Sequence, residues 1–125
     1  EYRMDINSIW VNEMKAGDYN PVHIHQGKLF TGLSSVMILK LPKDMGPELA
    51  RPDQPMNGQL QMMGSASGQF VTADYSPKMK IGDFYVFPYD VRHVVYPFTN
   101  KKAKRRTLVC NVDVEYNPVS SRTAQ

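Results

Sequence analysis

Three histidines hold most of the chemistry available to this chain. His23 and His25 stand one residue apart in Asn20-Pro21-Val22-His23-Ile24-His25, and His93 ends the segment Gly82-Asp83-Phe84-Tyr85-Val86-Phe87-Pro88-Tyr89-Asp90-Val91-Arg92-His93. In extended backbone residues i and i+2 face the same way, so the paired imidazoles point together while Val22 and Ile24 turn to the opposite layer. A lone histidine is ordinarily a hydrogen-bonded structural residue. Three at strand ends, two of them on one face, read as a single mononuclear metal site. Facial ligands leave coordination positions open, which is how non-haem Fe(II) takes a cosubstrate and dioxygen together.

Positioning these rings requires a rigid scaffold, and the sequence reads as strands throughout. Residues 8–14 form a first strand that ends at the turn pair Gly17-Asp18. Pro21 leads into the histidine segment. Residues 31–41 are the longest apolar run, rich in β-branched side chains and closed by Pro42, and read as a central strand. Prolines at 42, 47, 52 and 55 forbid helix or central strand across residues 42–58, which therefore form a long loop of the kind that rims or covers a site. Residues 59–63 and 69–73 are expected as a hairpin around a glycine- and serine-rich connection. Strands follow at 83–87, 94–98 and 107–116. Seven or eight short strands without helical periodicity indicate an all-β jelly roll.

The bulk properties fit one domain over residues 1–116, followed by a loose polar tail over 117–125. The chain has 125 residues, and its first is Glu1, so an upstream segment is expected to be missing. No apolar run reaches the roughly 20 residues of a membrane span, and no signal-peptide layout is present. The single cysteine, Cys110, excludes an internal disulfide and fits a reducing, cytoplasmic setting; within an apolar strand it is expected to be a small core residue. The net charge is +3, but residues 101–106 hold five cations, and subtracting these leaves −2 for the remainder. That local run reads as a solvated loop and argues against a nucleic-acid partner. No Ser/His/Asp or Cys/His arrangement is present.

Four blocks together carry a family resemblance: Asn20 to His25, Leu33-Ser34-Ser35-Val36-Met37-Ile38-Leu39-Lys40-Leu41-Pro42, Gly82 to Pro88 with His93-Val94-Val95-Tyr96-Pro97, and Arg105-Arg106-Thr107-Leu108-Val109-Cys110-Asn111. In order they resemble the signature blocks of the phage and marine-bacterial type of Fe(II)- and 2-oxoglutarate-dependent oxygenases, over about residues 10–112. The resemblance implies a double-stranded β-helix, Fe(II) and 2-oxoglutarate as cofactor and cosubstrate, and hydroxylation of a small-molecule or peptide substrate. It implies metal ligation by His23 and His93, with His25 at the third ligand position, where the widespread pattern has a carboxylate. Arg105 and Thr107 then match the Arg-x-Ser pair that holds the far carboxylate of 2-oxoglutarate.

The chemistry suits such a pair, because a guanidinium forks onto a carboxylate and a hydroxyl two residues along adds a further bond. Strand alternation lets only one of Arg105 and Arg106 point inward, and Thr107 selects Arg105. A surface arginine ending a basic loop is the plain alternative. Ile38 stands where many relatives have a tyrosine bonded to 2-oxoglutarate, so Tyr85, Tyr96 or another hydroxyl would have to replace it. Loop 42–58 and the aromatics Phe30, Tyr89 and Tyr96 are candidates for an entrance, or for ordinary packing.

Two other readings share the fold. Gly17 to His23-x-His25 and Gly82 to Pro88 to His93 also obey cupin spacings, although the glutamate expected after the histidine pair is absent; a three-histidine centre working without 2-oxoglutarate would look like this. A non-catalytic jelly-roll binding module is the third. Substrate and oligomeric state are not legible in the sequence.

Overall fold

The computed structural model describes residues 1–66 and 68–117. It contains eight strands: β1 (Tyr2–Lys15), β2 (Asn20–His23), β3 (Gly32–Lys40), β4 (Leu60–Met63), β5 (Asp74–Tyr75), β6 (Phe84–Pro88), β7 (Arg92–Val95) and β8 (Lys104–Tyr116). No helix occurs among the described residues. The strands form two antiparallel sheets, ordered β1-β8-β3-β6 and β2-β7-β4-β5. First pairs with last, second with seventh, third with sixth and fourth with fifth, as in one long hairpin rolled on itself. That is the jelly roll, or double-stranded β-helix, expected from the strand count.

Local chemistry sets the strand ends. Gly17 takes a positive φ of 87° in the turn after β1, and Lys15 N–H donates to the Asp18 carboxylate at 3.0 Å. Gly82 repeats the device before β6, with φ 93°. Loop 42–58 is tied down by its own polar groups: Glu48 Oε1 accepts from the backbone N–H of Met56 and Asn57 at 2.6 and 2.8 Å, and Asn57 Nδ2 donates to Pro47 O at 2.9 Å. Met45 from this loop covers Phe98 in the apolar cluster of Met14, Leu60, Val95 and Phe98.

The inner face of the β1-β8-β3-β6 sheet departs from an ordinary sandwich core. Along β8 the buried residues are Arg105, Thr107, Val109, Asn111 and Asp113, four of them polar, and Ser34 of β3 lies buried opposite Asn111. The alternate residues of the same strands face outward and are mostly apolar. Cross-strand rows Val11-Leu108-Met37-Phe84 and Ile9-Cys110-Ser35-Val86 run over the outer face without a charge. Ile9, Val11, Phe84 and Val86 there are 52–60 % exposed. Charge returns at one end, where Glu13 bridges Arg106 at 3.0 Å and Lys104 at 3.6 Å. Glu13 is held below the usual carboxylate range by Arg106 first and Lys104 second.

Several expectations need correction. The second strand of the 59–73 hairpin is Asp74–Tyr75, not residues 69–73, because the chain turns at Gly68 (Val71 N–H to Gly68 O, 3.3 Å) and leaves Phe70 in solvent. β8 begins at Lys104, so Arg105 and Arg106 lie within the strand and not in a loop before it. Cys110 is half-buried on the outer face and is not a core residue. It differs in parity from Arg105, and a strand cannot turn both inward. Val22 and Ile24 are also more than half exposed, since the outer face of β2 meets solvent and not a second layer. The tail expected over 117–125 lies, beyond Asn117, outside the described residues. Among the described residues no helix is long and apolar enough to cross a membrane.

Candidate metal centre and anion pocket

His23 ends β2 and pairs in register with His93 of β7, so the two rings meet across neighbouring strands with centroids 4.1 Å apart. His25 lies beyond the strand, where the chain leaves β2 but remains extended. Its N–H bonds Tyr89 O at 2.9 Å, and its ring centroid lies 5.0 Å from His23 and 4.9 Å from His93. The three nitrogen donors fall within 4.8 Å of one another. The predicted histidine set is therefore brought together, with His25 positioned by a loop rather than by strand alternation.

The segment holding His25 is fastened to β8. Lys28 N–H donates to Asp113 Oδ2 at 3.1 Å, Tyr89 O–H donates to Asp113 Oδ1 at 2.9 Å, and Thr31 Oγ1 donates to Val114 O at 2.7 Å. Burial, reinforced by Asp113, pushes the Tyr89 hydroxyl up to about 12. Tyr89 is thus structural: it carries the backbone carbonyl that anchors His25 while its hydroxyl holds the carboxylate beneath the loop.

Each ring is also held at its far nitrogen. His23 Nδ1 donates to Pro21 O at 2.6 Å and His93 Nδ1 to Val91 O at 2.9 Å, which leaves both Nε2 lone pairs directed into the cluster. His25 Nδ1 meets Asn111 Nδ2 at 3.3 Å, and Asn111 Oδ1 accepts from Ser34 Oγ at 2.8 Å. Phe87 packs on His93 at 4.7 Å. Burial, then His93 and His23, lowers the His25 pKa to about 4; burial also lowers that of His93, against the Val91 carbonyl. The two rings stay neutral near pH 7, the form in which imidazole binds metal.

The three histidines, Arg105 and Thr107 all line one cavity of about 330 Å³. Arg105 is 2 % exposed. Among the described residues its terminal nitrogens reach only the sulfurs of Met14 and Met79, at 3.8 and 3.6 Å, and Nε has no partner. Burial brings its pKa down to about 10, so it remains a cation. No carboxylate lines the cavity among the described residues. A buried charge without a counter-ion is costly unless a ligand pairs with it. Arg106, by contrast, points to the outer face and to Glu13.

The three imidazoles could hold a divalent cation, and the unpaired guanidinium with Thr107 could hold a carboxylate in the same cavity. The hydroxyls considered as replacements for the missing tyrosine do not face the cavity: Tyr85 O–H bonds Asp83 at 2.8 Å and Tyr96 O–H bonds Gln61 at 2.7 Å. Loop 42–58, Phe30, Tyr89 and Tyr96 do not line it either. Trp10, Asn12 and Asn20 do, and sequence reasoning missed them. Asn111 was legible by counting in twos from Arg105; Trp10 and Asn12 were masked by the apolar residues beside them.

The family described as "Putative 2OG-Fe(II) oxygenase" matches residues 8–111. Among curated proteins none matches. Among solved structures, the fold is similar to an oxidoreductase of the 2OG-Fe(II) oxygenase family from Burkholderia pseudomallei (TM-score 0.66, 15 % identity, 88 % of this chain and 43 % of that one). It is also similar to a prolyl-4-hydroxylase from Pseudomonas putida (TM-score 0.55, 20 % identity, 82 % and 50 %). The chain thus spans about half the length of these two solved structures. With three histidines converging beside a buried arginine, and a family match over most of the sequence, this chain belongs to the 2OG-Fe(II) oxygenases.

Proposed function

We propose that the protein is a dioxygenase that hydroxylates an unactivated C–H bond of a small-molecule or peptide substrate. The observation that carries this reading is Arg105: a buried guanidinium with no acidic partner among the described residues, lining with Thr107 the same cavity as three convergent imidazoles. His23, His25 and His93 would hold Fe(II), and Arg105 with Thr107 would bind the far carboxylate of 2-oxoglutarate. When bound, the iron and the keto acid supply the oxidising power: one oxygen atom of O2 goes to the substrate and the other to succinate, with release of carbon dioxide. The chain's own groups orient these components and exclude water. Val36, Val95 and Val109 give the cavity apolar walls, which strengthens the attraction between guanidinium and carboxylate.

Three neutral imidazoles with a dianion make a neutral ferrous complex, whereas a carboxylate ligand would make it −1. Iron held in this way would be correspondingly harder to oxidise. The same three-imidazole set favours a second reading, a cupin-type centre that does not use 2-oxoglutarate. The setting in the cell is read as cytoplasmic from the single cysteine, and kinship with phage and marine-bacterial enzymes from the sequence blocks.

One experiment separates the readings. Anaerobic Fe(II) protein should develop a visible charge-transfer band when 2-oxoglutarate is added. Arg105→Met, which replaces an unpaired buried charge by a side chain of similar volume, should abolish the band at ligand concentrations that saturate the parent, while Arg106→Ala retains it. Metal binding without the band would favour the cupin reading, and no stoichiometric metal would leave a binding module.

A further inference from the structure

We infer that the Asn111 side-chain amide is a two-position rotor, backed by Ser34, that decides whether His25 can ligate the metal. The inference rests on the metal-centre reading above and concerns only residues of this chain.

The orientation in the metal-free protein follows from a group that can only accept. Val91 O takes a hydrogen bond from His93 Nδ1 at 2.9 Å, so neutral His93 has its proton on Nδ1 and a bare Nε2. His25 Nε2 lies 3.0 Å from that bare nitrogen and must therefore be the donor. With its single proton on Nε2, neutral His25 has a bare Nδ1. The Asn111 group at 3.3 Å is then the NH2 and not the carbonyl, and the carbonyl accepts from Ser34 Oγ at 2.8 Å. Each group donates once along this chain: His93 to Val91 O, His25 to His93, Asn111 to His25 and Ser34 to Asn111.

The same arrangement withholds two ligands. The His25 Nε2 proton points at the metal position, and the His93 Nε2 lone pair is occupied by accepting it. Half a turn of the Asn111 amide resolves both. The carbonyl then accepts from His25 Nδ1–H, the NH2 donates to Ser34 Oγ, and the His25 proton moves from Nε2 to Nδ1 with no change in net charge. Ser34 permits this because a hydroxyl can donate in one state and accept in the other. Both groups are held in place: Asn111 is 4 % exposed and Ser34 fully buried, opposite each other in the register of β3 and β8. Asn111 is a positioning residue, acting on the metal through His25.

The chain has only three histidines, so their ring tautomers can be read individually by long-range 1H–15N correlation. In metal-free protein His23 and His93 should be Nδ1–H and His25 Nε2–H. Saturation with Zn(II) should convert His25 to Nδ1–H and shift the Asn111 amide protons. Asn111→Asp, which can only accept from His25, should place it in the Nδ1–H form before metal is added and retain Zn(II) affinity. Asn111→Leu should weaken Zn(II) tenfold or more, within the range seen when a partner of a ligating histidine is removed. A His25 already Nδ1–H in the metal-free parent, or still Nε2–H in the Zn(II)-saturated one, would overturn the role of Asn111 alone. Failure of the parent to bind Zn(II) at all would overturn the metal centre with it.

Discussion

At the scale of single residues the cavity is a set of groups that the fold keeps out of their ordinary states. His25 shows this in its dependence on pH. Its folded pKa is about 4, below the ordinary 6.5, with burial the largest cause. Between these values the unfolded chain binds the proton and the folded chain does not, so acid favours unfolding. Metal-free protein should hold its full contribution from this residue above pH 6.5 and lose it progressively as pH falls toward 4, with His93 acting in the same direction. Urea midpoints recorded across that range in the presence of a chelator should drop, and His25→Gln should flatten the fall. An equal slope in the variant would assign the effect elsewhere.

At the scale of elements, how much was legible depended on whether the burial pattern agreed with ordinary sandwich packing. β3 and the turn at Gly17 were readable because β-branched runs and positive-φ glycine obey general rules. The two histidine segments were readable from spacing. β8 was only half readable. Most of its apolar residues face outward and most of its polar ones inward, so the usual equation of apolar with interior assigns Cys110 wrongly, whereas alternation from Arg105 to Thr107 puts both side chains inside. The loop that positions His25 was not readable, because its anchor is Asp113, almost ninety residues away in sequence. Gly27 is where that dependence can be tested. A Cβ there would collide with the Asp113 carboxylate and the Asn7 side chain, and moving the carboxylate breaks its bonds to Lys28 N–H and Tyr89 O–H. Gly27→Ala should cost about 1–3 kcal/mol of stability and weaken metal binding. A calorimetric midpoint unchanged from the parent would mean that the loop adapts freely.

At the scale of the whole molecule, the outer face of the β1-β8-β3-β6 sheet is the least ordinary surface. Ile9, Val11, Phe84 and Val86 at the ends of its two uncharged rows are more than half exposed, and exposed apolar surface of this kind promotes association. Because these side chains contact little, charging them should be nearly neutral for the fold. Ile9→Lys combined with Val86→Lys should change stability by under about 0.5 kcal/mol per site and raise the protein concentration at which light scattering begins. A large loss of stability would show that the face is packed in solution.

The rolled-hairpin pairing also has a consequence in time. Tyr2 lies opposite Tyr116 and Met14 opposite Arg105, so the first strand has no partner until the last has been made. His93 follows His23 by 70 residues in sequence, and Arg105 comes 12 residues after His93. During synthesis, therefore, no partial chain holds a complete pocket. Assembly waits on contacts between distant parts of the sequence, a topology that closes in milliseconds to seconds rather than microseconds. The three imidazoles and the Arg105 guanidinium thus come to share one cavity only once β8 has paired with β1 and β3.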